Sequence, residues 1–299
     1  MVKKIMSLIF ILLFVSSYTY GKDKLKIVTS IAPLAYFIEN IGGDRVDVTT
    51  LIPPGGNPHT YEPTARQMNI LSRADLYVKV GSGIEFELMW MKKIESLNKN
   101  MPVCDSSKGI ALIEVNDHEV EHEHIKEHKQ EDMHSHHGRK DPHIWLSPVN
   151  AINISKNIKS SLSEIDPEHS GYYSKNASSL INDLKILKQS IAGNLKNIKK
   201  REIFIFHPAW AYFARDFNFK QIPIELSGKE PTPERLGRLI KSAIKDNIKV
   251  IFTSPQFSKK SAEVIAREIK GKVVFIDPMS GDYIKNLEHT AKLLQDNLK

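Results

Sequence analysis

Short apolar runs and longer amphipathic segments alternate along the chain. In the first half, the runs KLKIVTS, RVDVTTLI, DLYVKV and MPVCD predict four strands. Apolar residues recur every three or four positions in the segments APLAYFIENIG, TARQMNILSRA and FELMWMKKIESL, which predicts three helices between those strands. Strands that alternate with helices of this length are typical of βαβ units, so we expect a mainly parallel sheet.

The same alternation returns in the second half. The runs EIFIF, FKQIPI, KVIFTS and KVVFI predict four more strands. Helices are predicted at PAWAYFARDF, TPERLGRLIKSAIKDN and SAEVIAREIK, and from about Ser280 to the C-terminus. A further helix, SPVNAINISKNIKSSLSEI, precedes this half, with Ser147 as its N-cap and Pro148 at its first position.

A long helix is predicted between the two halves, over residues 167–199. Its apolar residues recur at spacings of three, four and seven, which places them on one face. At about 1.5 Å per residue the helix would be on the order of 50 Å long, so we interpret it as stiff and shared by both halves. The predicted fold is therefore α/β, with two βα lobes of mainly parallel sheets joined by one long rigid helix. The predicted boundaries are 22–165 for the N-terminal lobe, 166–200 for the linking helix and 201–299 for the C-terminal lobe.

One segment interrupts the alternation with imidazoles and carboxylates. Between Glu114 and Trp145 the chain reads EVNDHEVEHEHIKEHKQEDMHSHHGRKDPHIW. Few of these residues are apolar, so burial cannot offset the entropy of ordering them, and we expect a disordered loop over residues 116–140. Seven of the twelve histidines lie in this loop, and we expect them to be weak auxiliary metal ligands: His118, His122, His124, His128, His134, His136 and His137.

The N-terminus has the order of a cleavable secretory signal peptide. Lys3 and Lys4 precede the apolar run IMSLIFILLFV, and the small and polar residues SSYTYG follow it. The run is too short for a comfortable membrane span, and no nearby cysteine could carry a lipid. We therefore expect residues 1–21 to be removed by a cut after Gly21, and the mature protein to be periplasmic.

Charge and cysteine content exclude other classes of function. The formal net charge is +7, but Lys and Arg are spread among nearly as many acids, with no basic block interleaved with aromatics. Nucleic-acid binding therefore has little support. Cys104 is the only cysteine, so an intramolecular disulfide is impossible, and its place in a predicted buried strand gives it no chemical role.

Four metal-competent side chains follow predicted strands. His59 lies in the loop past RVDVTTLI, His207 follows EIFIF, Asp277 follows KVVFI, and His143 ends the connection after MPVCD. In parallel sheets all four would lie at one edge, where open α/β sheets bind ligands. Three imidazoles and one carboxylate make a credible four-ligand site for a divalent metal such as Zn²⁺.

Each of these residues also has an ordinary structural explanation. His59 would be an ordinary loop residue, His143 would cap a turn, His207 would be hydrogen-bonded at a strand end, and Asp277 would cap the last helix. Four such groups at four strand ends are less easily explained by chance. His169 and His289 fall within helical patterns, and we assign them solvated or capping roles.

Five stretches, in order, carry a family resemblance: PPGGNPHTYEPT, KDPHIWLSP, FHPAWAYFARDF, SGKEPTPERL and IDPMSGDY. They resemble the metal receptors of ABC uptake systems, the cluster A-I or cluster 9 solute-binding proteins for zinc and manganese. The resemblance covers essentially the whole mature chain. It implies two lobes joined by one long helix and a metal held between them by ligands at His59, His143, His207 and Asp277. The histidine at the third position and the histidine-rich loop before DPHIWL resemble the zinc branch, the ZnuA-like receptors.

The resemblance implies a periplasmic receptor and not an enzyme. It would capture Zn²⁺ with high affinity and deliver it, as a monomer, to an inner-membrane permease driven by a cytoplasmic ATPase. Nitrogen-rich ligation favours zinc, because Mn²⁺ prefers oxygen. The sequence leaves open whether Asp277 or water is the fourth ligand. A stiff linking helix restricts hinge closure, so we expect release through local loop movement around His143 or His207.

Three alternative functions stay open. A manganese receptor of the same family is one. A zinc buffer or chaperone, in which the loop itself is the function, is another. The third is a zinc hydrolase, against which the sequence offers no HExxH pairing, and four protein ligands would leave the metal no open position.

Overall fold

Two parallel four-stranded sheets form the two halves of the molecule. A computed structural model describes residues 24–115, 139–225, 231–257 and 259–298. The strands of the first sheet run in the order β2-β1-β3-β4 and are β1 (Leu25–Thr29), β2 (Val46–Thr50), β3 (Leu76–Lys79) and β4 (Val103–Asp105). Its helices are α1 (Ala32–Gly42), α2 (Ala65–Leu71) and α3 (Glu85–Leu97). The four predicted strands and three predicted helices of this half are all present.

A short hairpin follows the first sheet. Strand β5 (Glu114–Val115) pairs antiparallel with strand β6 (Arg139–Lys140), so the predicted loop 116–140 ends in a strand. Residues 116–138, with their seven histidines, lie outside the described residues, as does the predicted signal peptide 1–21. Cys104 is buried in β4 as predicted, and burial raises the pKa of its thiol to about 11.

Two helices connect the lobes. Helix α4 (Pro148–Ile165) begins as predicted, with the Ser147 hydroxyl accepting the Asn150 N–H at 3.0 Å. A 3₁₀ turn, Pro167–His169, leads into α5 (Ser170–Leu195).

The long helix is shorter than its periodicity predicts. Its 26 residues span about 39 Å, where the sequence predicted a helix over 167–199. At its C-terminal end the chain turns, with the Ile198 N–H donating to the Leu195 carbonyl at 3.2 Å. Ile198 lies beyond this turn and is still buried in the main core. Its burial therefore does not require the helix to continue to residue 199.

The second sheet has the order β10-β9-β7-β8, all parallel. Its strands are β7 (Glu202–Ile205), β8 (Lys220–Pro223), β9 (Val250–Thr253) and β10 (Lys272–Phe275). The helices that accompany them are α6 (Ala211–Phe217), α7 (Pro233–Lys245), α8 (Lys260–Glu268) and α9 (Tyr283–Asn297). Among the residues described, no helix has the length and apolar character needed to cross a membrane.

The main hydrophobic core runs through both lobes. Alternate residues along β7 and just past it face opposite sides: Ile203 and Ile205 join the main core, whereas Phe204 and Phe206 join a second core with α7 and α8. The main core also holds the apolar face of α5 and residues of both lobes. The lobes are therefore two sheets packed on shared helices, not two separately buried units.

Candidate metal centre

Three histidines from separate elements meet between the lobes. His59 lies in the loop after β2, His143 directly before the 3₁₀ turn Ile144–Leu146, and His207 two residues after the end of β7. The Nε2 atom of His207 lies 3.3 Å from that of His59 and 3.2 Å from that of His143. One nitrogen from each of the three rings lies within 4.8 Å of the other two. The structure thus brings together three of the four residues expected from the strand ends.

Each of these rings also contacts a carboxylate through its other nitrogen. His59 Nδ1 lies 2.9 Å from Glu85 Oε2, and His143 Nδ1 lies 2.9 Å from Asp141 Oδ1. His207 Nδ1 pairs with the buried carboxylate of Glu225. A carboxylate that accepts a hydrogen bond from Nδ1–H, as Asp141 and Glu225 do, fixes the tautomer and leaves the Nε2 lone pair available for a metal.

None of these three carboxylates was predicted from the sequence. Glu225 directly follows the Ile224 that ends the run FKQIPI, so the strand-end reasoning that selected the histidines also applies to it. Asp141 is only two residues from His143. Glu85 is the first residue of α3, and only tertiary packing brings it to His59.

Local hydrogen bonds hold two of the rings in position. Asp141 Oδ1 also accepts the backbone N–H of His143 at 2.8 Å, so one carboxylate orients both the backbone and the ring. The Phe86 N–H donates to the Pro58 carbonyl at 3.1 Å and ties the start of α3 to the loop of His59. These contacts fix the Nε2 atoms in place before any metal arrives.

The nitrogen spacing matches that of a tetrahedral zinc ion. Two nitrogens bound to tetrahedral Zn²⁺ at about 2.0–2.1 Å lie about 3.3–3.4 Å apart. The observed Nε2 separations of 3.3 and 3.2 Å agree with this value. Lone pairs that face one another at this distance repel, and a cation between them removes the repulsion. The donor set therefore fits zinc.

Apolar side chains surround the three rings. Phe257 stacks on His207, with ring centroids 4.4 Å apart and an angle of 23° between the planes. Together with the histidines, the cavity is lined by Pro58, Gln256, Phe257, Pro278 and Met279. His143 and His207 are only 6% and 7% exposed, so electrostatic interactions inside the cavity are weakly screened.

Asp277, the fourth predicted ligand, lies beside this cavity. It follows β10 as expected, but it is absent from the lining residues and from the group of three histidines. Its Oδ1 atom accepts the side-chain amide of Gln256 at 2.8 Å and the Met279 N–H at 2.9 Å. Direct ligation by Asp277 stays a prediction.

Another buried carboxylate supports the neighbouring loop between β3 and α3. Glu87 accepts the N–H groups of Val80 and Gly81 at 2.6 and 2.9 Å, and burial raises the pKa of its carboxyl. In the same loop, the Ser82 hydroxyl donates to the Pro142 carbonyl at 2.5 Å, next to His143. This loop therefore links the start of α3 to the segment that carries His143.

Of the other histidines, two are described. His169 Nδ1 lies 2.8 Å from Asp166 Oδ2, which also accepts the Tyr173 hydroxyl at 2.6 Å. Ligand atoms of Asp166, Glu168 and His169 lie within 4.8 Å of one another, at the junction of α4 and α5. We interpret this group as a hydrogen-bonded junction; His169 occupies the N-cap position of α5 without a side-chain capping hydrogen bond, so its solvated or capping role stays a prediction. His289 is exposed on α9, as a solvated role requires.

Comparison with known proteins identifies a family. Residues 27–297 match the family described as ZnuA, zinc-uptake complex component A, periplasmic. The chain is 33% identical to the high-affinity zinc uptake system protein ZnuA of Bacillus subtilis, over 92% of this chain and 88% of that protein. It is also 30% identical to the zinc-binding protein AdcA of Streptococcus pyogenes. That similarity covers 87% of this chain but only 52% of the longer AdcA.

A solved structure has the same fold. The crystal structure of a ZnuA deletion mutant with zinc bound superimposes with a TM-score of 0.82 at 37% identity. The similarity covers 93% of this chain and 99% of that one. The arrangement of two parallel-sheet lobes and a long helix is therefore shared with a zinc-bound protein.

Proposed function

Because the chain belongs to the ZnuA family of periplasmic zinc-uptake components, we propose that it is the high-affinity zinc-binding receptor of an ABC uptake system. The observation that carries this proposal is the meeting of three imidazoles between the lobes, with His207 Nε2 at zinc-like distances from Nε2 of both His59 and His143. The relatives are named as zinc-uptake and zinc-binding proteins, which agrees with this choice of metal. Zn²⁺ is then the cargo and not a resident cofactor.

The three pairs of imidazole and carboxylate explain how the site takes up zinc. His143 and His207 offer Nε2 lone pairs, because a carboxylate accepts a hydrogen bond from each Nδ1, and the Glu85 carboxylate lies 2.9 Å from Nδ1 of His59. The negative charge behind each ring makes the ring a better donor to a dication. Protonation of the rings competes with zinc, so binding weakens as the pH falls.

The donor set favours zinc over manganese. Three nitrogens suit Zn²⁺, whereas Mn²⁺ prefers carboxylate, carbonyl and water oxygens. A manganese receptor of the same family is therefore the second candidate. ZnuA-family proteins are solute-binding receptors and not enzymes, so we expect no hydrolytic turnover.

ZnuA-family receptors work with an ABC permease and its ATPase. We propose that this chain acts as a monomer in the periplasm, after loss of residues 1–21, and passes zinc to an inner-membrane permease. Its lobes would be 22–165 and 201–299, with 166–200 as the linking helix. The histidines of the 116–140 segment would gather zinc weakly, while the cleft holds it tightly.

A zinc titration with elemental analysis of residues 22–299 tests the proposal. The wild type should bind one zinc tightly, and the triple variant His59→Ala, His143→Ala, His207→Ala should lose that site. The matched control, His169→Ala with His289→Ala, changes two histidines outside the cleft and should keep it.

Deletion of residues 116–138 separates a receptor from a buffer. A receptor keeps one tight site in the deletion variant, whereas a buffer loses nearly all of its zinc. Manganese as the metal retained from mixed-metal medium would contradict the choice of zinc. Hydrolytic activity that disappears with His59→Ala would support an enzyme instead.

A further inference from the structure

One amide side chain lies between the three histidines and the carboxylate expected as their fourth partner. Gln256 lines the cavity together with His59, His143 and His207, whereas Asp277 does not. The Gln256 side-chain nitrogen donates to Asp277 Oδ1 at 2.8 Å. The same oxygen accepts the Met279 N–H at 2.9 Å, so two donors hold this carboxylate in place.

The orientation of the Gln256 amide follows from its partner. A carboxylate oxygen accepts hydrogen bonds, so the NH₂ group of Gln256 must face Asp277, and Oε1 occupies the other position. Oε1 is buried and has no hydrogen-bond partner among the described residues. Buried acceptors are rarely left unsatisfied, so this atom calls for a donor that enters the cavity.

We propose that Gln256 is a specificity-determining residue of the cleft. Its nitrogen holds Asp277 away from the three imidazoles, and its oxygen accepts a hydrogen bond from a water bound at the fourth position of the zinc. This inference rests on the proposed zinc-binding function. It replaces direct ligation by Asp277 with a role for Asp277 as the anchor of Gln256.

The consequence for metal choice follows from ligand chemistry. With Asp277 held back, the protein offers three nitrogens and room for one water, a set that suits four-coordinate Zn²⁺. Without the Gln256 amide, Asp277 is free to turn into the cavity and supply carboxylate oxygens. Carboxylate oxygens suit Mn²⁺, so their entry narrows the margin by which the cleft prefers Zn²⁺. Gln256 therefore biases the cleft against manganese without touching the metal itself.

The test is a competition between zinc and manganese in Gln256→Leu. Leucine has a similar size but neither donor nor acceptor. We expect the preference for zinc over manganese to fall by about tenfold, the lower end of the effects of groups that support metal ligands. Gln189→Leu, the same change at an exposed position of α5, should leave the preference unchanged. Adding Asp277→Asn to Gln256→Leu should restore it, because the freed side chain then carries no charge.

A second measurement reports the bound water directly. Water-proton relaxation of the Mn²⁺-loaded wild type should show an exchangeable water on the metal. Gln256→Leu should lose much of that relaxation as Asp277 takes the position.

Two results would overturn the inference. One is an unchanged zinc-to-manganese ratio in Gln256→Leu when circular dichroism shows a folded protein. The other is a zinc-loaded crystal structure in which an Asp277 oxygen lies about 2.0–2.2 Å from the metal, which would make Asp277 a direct ligand. Both presuppose tight zinc binding by the wild type, and its absence would instead refute the proposed function.

Discussion

At the residue scale, the partner of Nδ1 in each cleft histidine determines whether Nε2 can bind a metal. Asp141 and Glu225 accept hydrogen bonds from Nδ1 of His143 and His207, and the Glu85 carboxylate lies 2.9 Å from Nδ1 of His59. Such partners typically change metal affinity by about 10–100-fold when they are replaced. The negative charge of the acceptors matters as much as their geometry, because zinc brings two positive charges into a cavity with little solvent.

The first prediction separates charge from geometry at Asp141. Asp141→Asn keeps an oxygen that can accept from both the ring and the backbone N–H of His143, but it removes the negative charge. We expect zinc affinity to fall by about 10–100-fold, measured by competition with a chelator. Asp282→Asn, at an exposed position paired with Lys285, should leave affinity unchanged. Equal affinity of Asp141→Asn and wild type would contradict a role for the carboxylate charge.

The sequence predicted the histidines of the site better than their partners. His59, His143 and His207 could be found because each follows a predicted strand, and parallel sheets bring such positions to one edge. Glu85 could not be found this way, because it opens a helix and only the packing of α3 against the His59 loop brings it close. The interaction of Asp277 with Gln256 could not be predicted from the sequence either, since it depends on the paths of two loops.

At the element scale, periodicity predicted the order of strands and helices but not where each one ends. Helix α1 has the predicted bounds, and α4 has the predicted cap at Ser147. Helix α5 ends earlier than predicted because Ile198 is buried through a turn. Helix α6 begins at Ala211, after Trp210, whose backbone N–H donates to the Gln221 side chain at 3.1 Å. In both helices, contacts distant in sequence override a continuous apolar pattern.

The second prediction concerns the shared linking helix α5. Leu184 is fully buried in the core that both lobes contribute to, so Leu184→Ala should reduce the free energy of unfolding by about 2–5 kcal/mol. Because the core is continuous, we expect one unfolding transition that shifts as a whole. Urea denaturation, monitored by tryptophan fluorescence and by circular dichroism, measures both the free energy of unfolding and the number of transitions. The exposed neighbour provides the control, Lys185→Ala. Two separate transitions would argue that the lobes unfold independently.

At the scale of the whole molecule, hydrogen bonds close to the site join the lobes. The Trp145 indole N–H donates to the Pro278 carbonyl at 2.7 Å, and the Tyr283 hydroxyl donates to the Trp145 carbonyl at 2.7 Å. The Ser147 hydroxyl bonds to the Asp216 carboxylate. These bonds lie within four residues of His143, so the segment that carries a zinc ligand is also a link between the lobes. A wide rotation of one lobe would break this link as well as the shared core.

The third prediction follows from this link and the shared core. Zinc loading should leave the radius of gyration unchanged in small-angle scattering, because a rigid-body rotation would have to break the hydrophobic core that α5 and α9 share with both lobes. Hydrogen exchange should instead show zinc-dependent protection confined to the loops that carry His59, His143 and His207, with the amides of β1 and β7 unaffected. The variant that lacks all three histidines is the control, and it should show no response to zinc. A clear decrease in the radius of gyration on zinc binding, or metal-free and zinc-loaded crystal structures related by a wide lobe rotation, would show that the linking helix does not restrict closure.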